Sequence, residues 1–384
     1  MSEVTAGVAL PAEPTGAAGA ATMVEAFELT STALTDRVAI RTRGDAETLT
    51  WTEWRERARD VAGGLHRLGV RRGGTVAIML SNRPEFHVVD MAAVMLGAAP
   101  FSIYQTFTPE QIQFVVADAG ARVAFVEREY LDVLLEARRG LPDLECVILI
   151  DPSEAGPPDG VLGLAEVESS GREEDLRAAV AEASAAVGPE DVLTLIYTSG
   201  TTGPPKGVQL CHRNLMAAVR GIERMVELPE ESRVISWLPA AHIAERGAHH
   251  YLPIVYGLQV TSCPNPREVM SYLPEVRPQW FFAVPRIWEK LKAGLETMTA
   301  GLPEEQRKKT GEALAAAVEK VRLEQRGEPV PVELAAEVAR ADEEIFAGLR
   351  TMLGFDQIEA VNVGAAPTPI EVLEFFHAIG IPVS

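Results

Sequence analysis

The residues with the strongest chemical signature lie in one short stretch, Tyr197-Thr-Ser-Gly-Thr-Thr-Gly-Pro-Pro-Lys-Gly-Val208. Glycines at 200, 203 and 207 let the backbone turn and expose N–H groups without side-chain obstruction. Ser199, Thr201 and Thr202 add hydroxyl donors, and Lys206 adds a compact cation at the far end. A cradle of amides, hydroxyls and one ammonium suits the β- and γ-phosphates of a nucleotide. The order of residues is not that of a Walker A loop, because Lys206 is followed by Gly207 and no hydroxyl. It does not match the GxGxxG dinucleotide turn either. The plain alternative is a Ser/Thr/Gly-rich surface turn. So many specified residues, placed directly after the apolar run Val192–Tyr197, weigh against it.

Three further stretches follow in order. They are Ser236-Trp-Leu-Pro-Ala-Ala-His-Ile-Ala-Glu-Arg246, Phe282-Ala-Val-Pro-Arg-Ile-Trp-Glu-Lys-Leu291 and Val363-Gly-Ala-Ala-Pro367. Taken singly, His242 reads as well as a satisfied interior histidine, Arg286 and Glu289 as a surface ion pair, and Gly364–Pro367 as a strand-to-helix turn. Together with the glycine-rich stretch they resemble the adenylate-forming superfamily, in its long-chain fatty-acid–CoA ligase type, over about Phe27 to Ser384.

The resemblance implies an α/β fold: a multilayered N-terminal domain with largely parallel sheets flanked by helices. It implies an acid–thiol ligase in which a fatty acid carboxylate attacks the α-phosphate of Mg-ATP, giving acyl-AMP and pyrophosphate, after which coenzyme A displaces AMP. By carry-over, Thr198, Ser199, Gly200, Thr201, Thr202, Gly203 and Lys206 hold the pyrophosphate moiety. Thr201 helps hold Mg²⁺, Gly364, Ala365, Ala366 and Pro367 frame the base, and Lys206 and His242 are the catalytic candidates. The family's Tyr-Gly-x-Thr/Ser-Glu motif and its small C-terminal domain are expected beyond Gly380-Ile-Pro-Val-Ser384, so these 384 residues alone are expected to turn over little. Two rivals are an adenylation domain or acyl-AMP ligase feeding a carrier protein, and a catalytically dead nucleotide-binding module.

The elements that must position these residues alternate between amphipathic helices and short apolar strands. Thr50 and Glu53 stand at capping-box spacing and open a helix over Trp51–Leu68, with Val61, Leu65 and Leu68 on one stripe. Strands are expected at Thr75–Leu80, Val123–Val126, Cys146–Ile150, Val192–Tyr197, Val234–Leu238, Gln259–Thr261, Trp280–Val284 and Ile358–Val363. Glu85–Leu96 reads as a buried helix, and Pro109 opens another at a position that tolerates proline. Asp151–Gly160 reads as a surface loop and Glu166–Glu190 as an acidic connector. A helical insertion is expected at about 300–350, with Leu314, Val318 and Val321 on one face. The alternation indicates a parallel α/β architecture. The divisions expected are a loose tail over 1–22, a first subdomain over 23–190 and a second over 191–384.

A formal charge of −20 argues against nucleic acid as partner and against attraction to anionic lipid. A phosphate site needs only a few local donors and survives that balance. Cys146, Cys211 and Cys263 lack CxxC spacing, which argues against a zinc site or a disulfide framework and fits a reducing cytoplasm. No run reaches the roughly 18 apolar residues needed to cross a bilayer, and membrane contact is expected to be at most transient and peripheral. The oligomeric state is not legible.

Overall fold

The computed structural model describes residues 16–151, 156–198, 204–223, 229 and 231–384. Its centre is a five-stranded parallel sheet in the order Ala99–Ser102, Thr75–Met79, Val123–Val126, Cys146–Leu149, Leu162–Gly163. The middle strands are buried along nearly their whole length, as expected where helices cover both faces of a parallel sheet. A second sheet has the order Arg233–Ser236, Gln259–Ser262, Val38–Arg41, Thr48–Thr50, parallel except for its last pair. Trp280–Ala283 and Ala360–Val363 form a parallel pair. Val192–Thr198 and Lys206–Cys211 form an antiparallel hairpin.

The helices follow local signals closely. Thr50 accepts from the Glu53 N–H at 3.2 Å while the Glu53 carboxylate accepts from the Thr50 N–H at 2.7 Å, closing the capping box of Trp51–Arg67. Pro84 and Pro109 each occupy the first turn of their helices, Pro84–Met95 and Pro109–Ala119.

Three expectations change. The stretch up to Thr22 does not stay loose throughout: Gly16–Gly19 forms a 3₁₀ turn, Ala18 and Ala20 are buried, and Arg220 donates to both carbonyls. Residues 1–15 lie outside the described residues. The acidic stretch Glu166–Glu190 is no mere connector, since it carries much of the helix Leu164–Ser170 and all of Glu174–Ala185. Both pack on Trp51–Arg67, and glycines allow the close approach of the first of them. A Cβ on Gly64 would stand 2.3 Å from the Val167 carbonyl oxygen, and one on Gly171 would stand 1.8 Å from that of Asp60. Finally, the stripe of the long helix Glu304–Gln325 is rotated by one residue: Ala313, Ala317 and Val321 are buried, whereas Leu314 and Val318 are half-buried.

Candidate active site

The hairpin fixes both ends of the glycine-rich stretch. Thr198 stands opposite Lys206 in the antiparallel register, so the segment between them leaves and returns at adjacent backbone positions. Both residues are exposed. Ser199, Gly200, Thr201, Thr202 and Gly203 lie outside the described residues. Below the exposed end, Tyr197 is buried and donates its hydroxyl to the Asp118 carboxylate at 2.8 Å, which ties the hairpin to the helix Pro109–Ala119. Burial raises the Tyr197 phenol, and the Asp118 carboxylate beside it adds to that, so the hydroxyl stays a donor. Gly207 pairs with Tyr197, and a Cβ there would lie 3.1 Å from its ring. The strand Lys206–Cys211, which the sequence did not suggest, exists because Val208 and Leu210 extend the antiparallel ladder.

His242 occupies the N-cap of the short helix Ile243–Arg246, is exposed, and accepts at Nδ1 from the Ala244 N–H at 3.1 Å. An accepting Nδ1 leaves the proton of a neutral imidazole on Nε2. The ring therefore presents an N–H donor, suited to an anionic oxygen.

Behind this turn lies a buried polar layer that the sequence reasoning missed. Arg246 donates to Asp90 at 2.5 Å and to the Ser102 hydroxyl at 3.0 Å, with Arg246 and Asp90 both fully buried. His250 meets the other Asp90 oxygen at 3.0 Å and His87 at 2.9 Å. Burial pushes the Asp90 carboxyl up, but Arg246 and His250 outweigh it and hold it below the usual carboxylate range. Burial, reinforced by His250, pushes the His87 imidazole well down. Gly247–Tyr251 is a π-helical turn, a form found often at functional sites. Its one signal in the sequence was Glu245-Arg246 and His249-His250 interrupting an apolar run.

Gly364–Pro367 leaves the end of Ala360–Val363, its Gly364 N–H 3.4 Å from the Ala283 carbonyl oxygen and its Cα facing the Phe282 ring. Ala365 adopts φ 74°, a left-handed conformation that costs an alanine about 1–2 kcal/mol. The Trp237 indole donates to the Phe282 carbonyl. The His242 turn follows the carboxyl end of Arg233–Ser236 and Gly364–Pro367 that of Ala360–Val363, strands of two different sheets, and the carboxyl ends of parallel strands are the usual place for a ligand crevice. No hydrogen bond among the described residues joins Thr198 or Lys206 to His242 or to Gly364–Pro367. Arg286 and Glu289 are exposed on the helix Pro285–Ala300, whose Trp288 is buried. A cavity of about 660 Å³ between Met23–Ala33 and Glu174–Ala185 touches none of these residues, so volume alone does not mark the chemistry. No group of three or more His, Cys, Asp or Glu among the described residues could hold a metal ion.

The sequence profile of the AMP-binding enzyme matches residues 27–384. A Mycobacterium tuberculosis protein provisionally named fatty-acid–CoA ligase fadD11 is 44% identical over 200 residues, covering 52% of this chain and 35% of its own. The long-chain-fatty-acid–CoA ligase ACSBG2 of Xenopus laevis is 29% identical over 373 residues, covering 94% and 50%. The chain thus spans half or less of the length of these curated relatives. The crystal structure of the anthranilate CoA ligase AuaEII in complex with anthranoyl-AMP superposes with a TM-score of 0.69 at 20% identity, covering 97% of this chain and 60% of that one. That likeness shows the fold, the adenylate-forming N-terminal domain.

Proposed function

The chain belongs to the AMP-binding enzyme family, and from that premise we propose that it is the nucleotide- and acid-binding part of a long-chain fatty-acid–CoA ligase. The observation that carries the reading is the hairpin register, which sets Thr198 and Lys206 at the two ends of a segment rich in backbone and hydroxyl donors. The substrate is Mg-ATP, so magnesium arrives on the polyphosphate, with Thr201 proposed to reach it.

Ser199–Gly203 and Lys206 bind the departing pyrophosphate, and the Lys206 ammonium offsets the charge that builds there. A fatty acid carboxylate attacks the α-phosphorus, the bond to the bridging oxygen breaks, and acyl-AMP forms. The Nε2 N–H of His242 donates to an oxygen of the acid or of the α-phosphate and so orients the two reactants. Gly364–Pro367 lies against the base, its backbone brought near by the absence of long side chains. Coenzyme A then displaces AMP as the thioester forms. Long-chain acids are favoured by the Val-Pro-Arg-Ile-Trp-Glu-Lys stretch and by the ligases among the relatives. For the 384 residues alone we propose little turnover.

The test is thioester formation by the complete protein across acetate, benzoate, octanoate and palmitate. Palmitate should be preferred, and preference for acetate or benzoate would refute the long-chain reading. ATP–pyrophosphate exchange by the 384-residue chain tests the last proposal. Robust exchange would overturn it.

A further inference from the structure

We propose that Glu245 is a positioning residue that holds the His242 turn in its working geometry, an inference that rests on the reading of His242 given above. Glu245 is 1% exposed, and both its oxygens are fully used. Oε1 accepts from the Ser236 hydroxyl at 2.6 Å and from Asn82 Nδ2 at 2.9 Å. Oε2 accepts from the Leu238 N–H at 2.9 Å and from His249 Nδ1 at 2.7 Å. Two polar partners meet each oxygen.

These partners come from four separate places. Ser236 ends its strand, Leu238 lies in the bridge to His242, His249 lies in the π-helical turn, and Asn82 follows the Thr75–Met79 strand of the five-stranded sheet. Asn82 also donates to the Leu238 carbonyl at 2.9 Å. One carboxylate therefore ties the bridge Trp237–Ala241 to both sheets. His242 sits between its two anchors, four residues after Leu238 and three before Glu245, and its own N–H closes onto the Pro239 carbonyl at 2.9 Å. With these fixed, the Ala244 N–H is delivered to His242 Nδ1 and the Nε2 proton points outward.

Glu245→Gln preserves size but puts an amide NH₂ where two donors already point. Whichever way the amide turns, one pair of donors loses its acceptor. The turn should loosen while the sheets persist.

The experiment uses the 384-residue chain with ¹⁵N-labelled histidine and backbone. In E245Q, the His242 Nδ1 resonance should move toward that of an imidazole lacking its hydrogen bond. Exchange at the Leu238 and Ala244 amides should accelerate at least tenfold, with the amides of Val76–Met79 and Val123–Val126 unchanged. Ser236→Ala, a milder variant, should shift the same signals in the same direction by less. Calorimetry with palmitoyl sulfamoyl adenosine, a stable stand-in for the acyl-adenylate, adds a functional readout. H242A and E245Q should weaken binding by similar factors, and the double variant should lose no more than either. An unmoved His242 resonance in E245Q and S236A, or losses that multiply in the double variant, would overturn the proposal. If the unsubstituted chain fails to bind the analogue while the resonance still moves, the adenylate reading falls and the positioning of the turn by Glu245 stands.

Discussion

Replacing Asp90 by Asn should be among the most costly single changes in the chain. Asp90 and Arg246 are both fully buried and meet at 2.5 Å, and the second Asp90 oxygen meets His250 at 3.0 Å. Breaking a buried pair from one side leaves an uncompensated charge and costs about 3–5 kcal/mol. A second route gives a similar figure: Asp90 accepts two hydrogen bonds from groups that carry or share charge, each worth about 1.5–3 kcal/mol. Arg246→Met should cost a comparable amount by stranding Asp90. The double variant D90L/R246M should recover most of the loss, because apolar groups of similar size remove both charges at once. Urea unfolding followed by tryptophan fluorescence suits the site, since the Trp54 ring lies 6.0 Å from His250 and its indole donates to the His87 carbonyl. A D90N cost below about 1 kcal/mol, within the range of an exposed ion pair, would refute the description of a buried, charge-paired layer. The pH dependence has a definite sign. A carboxyl held low in the folded state stabilises it above the unfolded value of about 3.9, and that stability is lost as pH falls through the lower folded value.

Other perturbations give smaller or different outcomes. His212 accepts at Nδ1 from the Met23 N–H at 3.0 Å, and burial pushes it down to about 4. The unfolded chain takes up that proton below about 6.5, so stability should be full above that pH and fall by roughly 1.4 kcal/mol per unit toward 4. His212→Gln should flatten that part of a urea-midpoint profile. Thr50→Ala should cost about 1 kcal/mol of stability by opening the capping box. Ala365→Gly should raise the urea midpoint, because relief of about 1–2 kcal/mol of left-handed strain exceeds the 0.4–1 kcal/mol or so of added unfolded-state freedom. Lys206→Ala should weaken Mg-ATP binding by about 10–100-fold in calorimetry, the scale of a charge-assisted hydrogen bond worth about 1.5–3 kcal/mol.

Local signals in the sequence translated into structure where one residue decides the outcome. Thr50 and Glu53 opened their helix where the spacing placed it, Pro109 sat in a first turn, and the apolar runs around Val76, Val123 and Val147 became buried strands. What depended on approach between distant segments was not legible. The helices of Glu166–Glu190 looked like an acidic connector because their apolar face is thin. The packing of residues 164–171 depends on Gly63, Gly64 and Gly171 letting backbones meet. The motifs bearing Lys206, His242 and Gly364 were readable as patterns. The layer behind His242 was not, because Asp90, Asn82 and Ser102 reach it from other elements, and each polar residue taken alone reads as solvated. Ala365 gave no hint of its left-handed backbone.

The central claim is that the polyphosphate of a nucleotide lies between Thr198 and Lys206. A crystal structure of the chain with a non-hydrolysable ATP analogue and magnesium tests it most directly. The expected result is a phosphate oxygen within hydrogen-bond reach of Lys206 Nζ and the adenine against Gly364–Pro367. Nucleotide bound elsewhere, with Lys206 facing solvent, would contradict it.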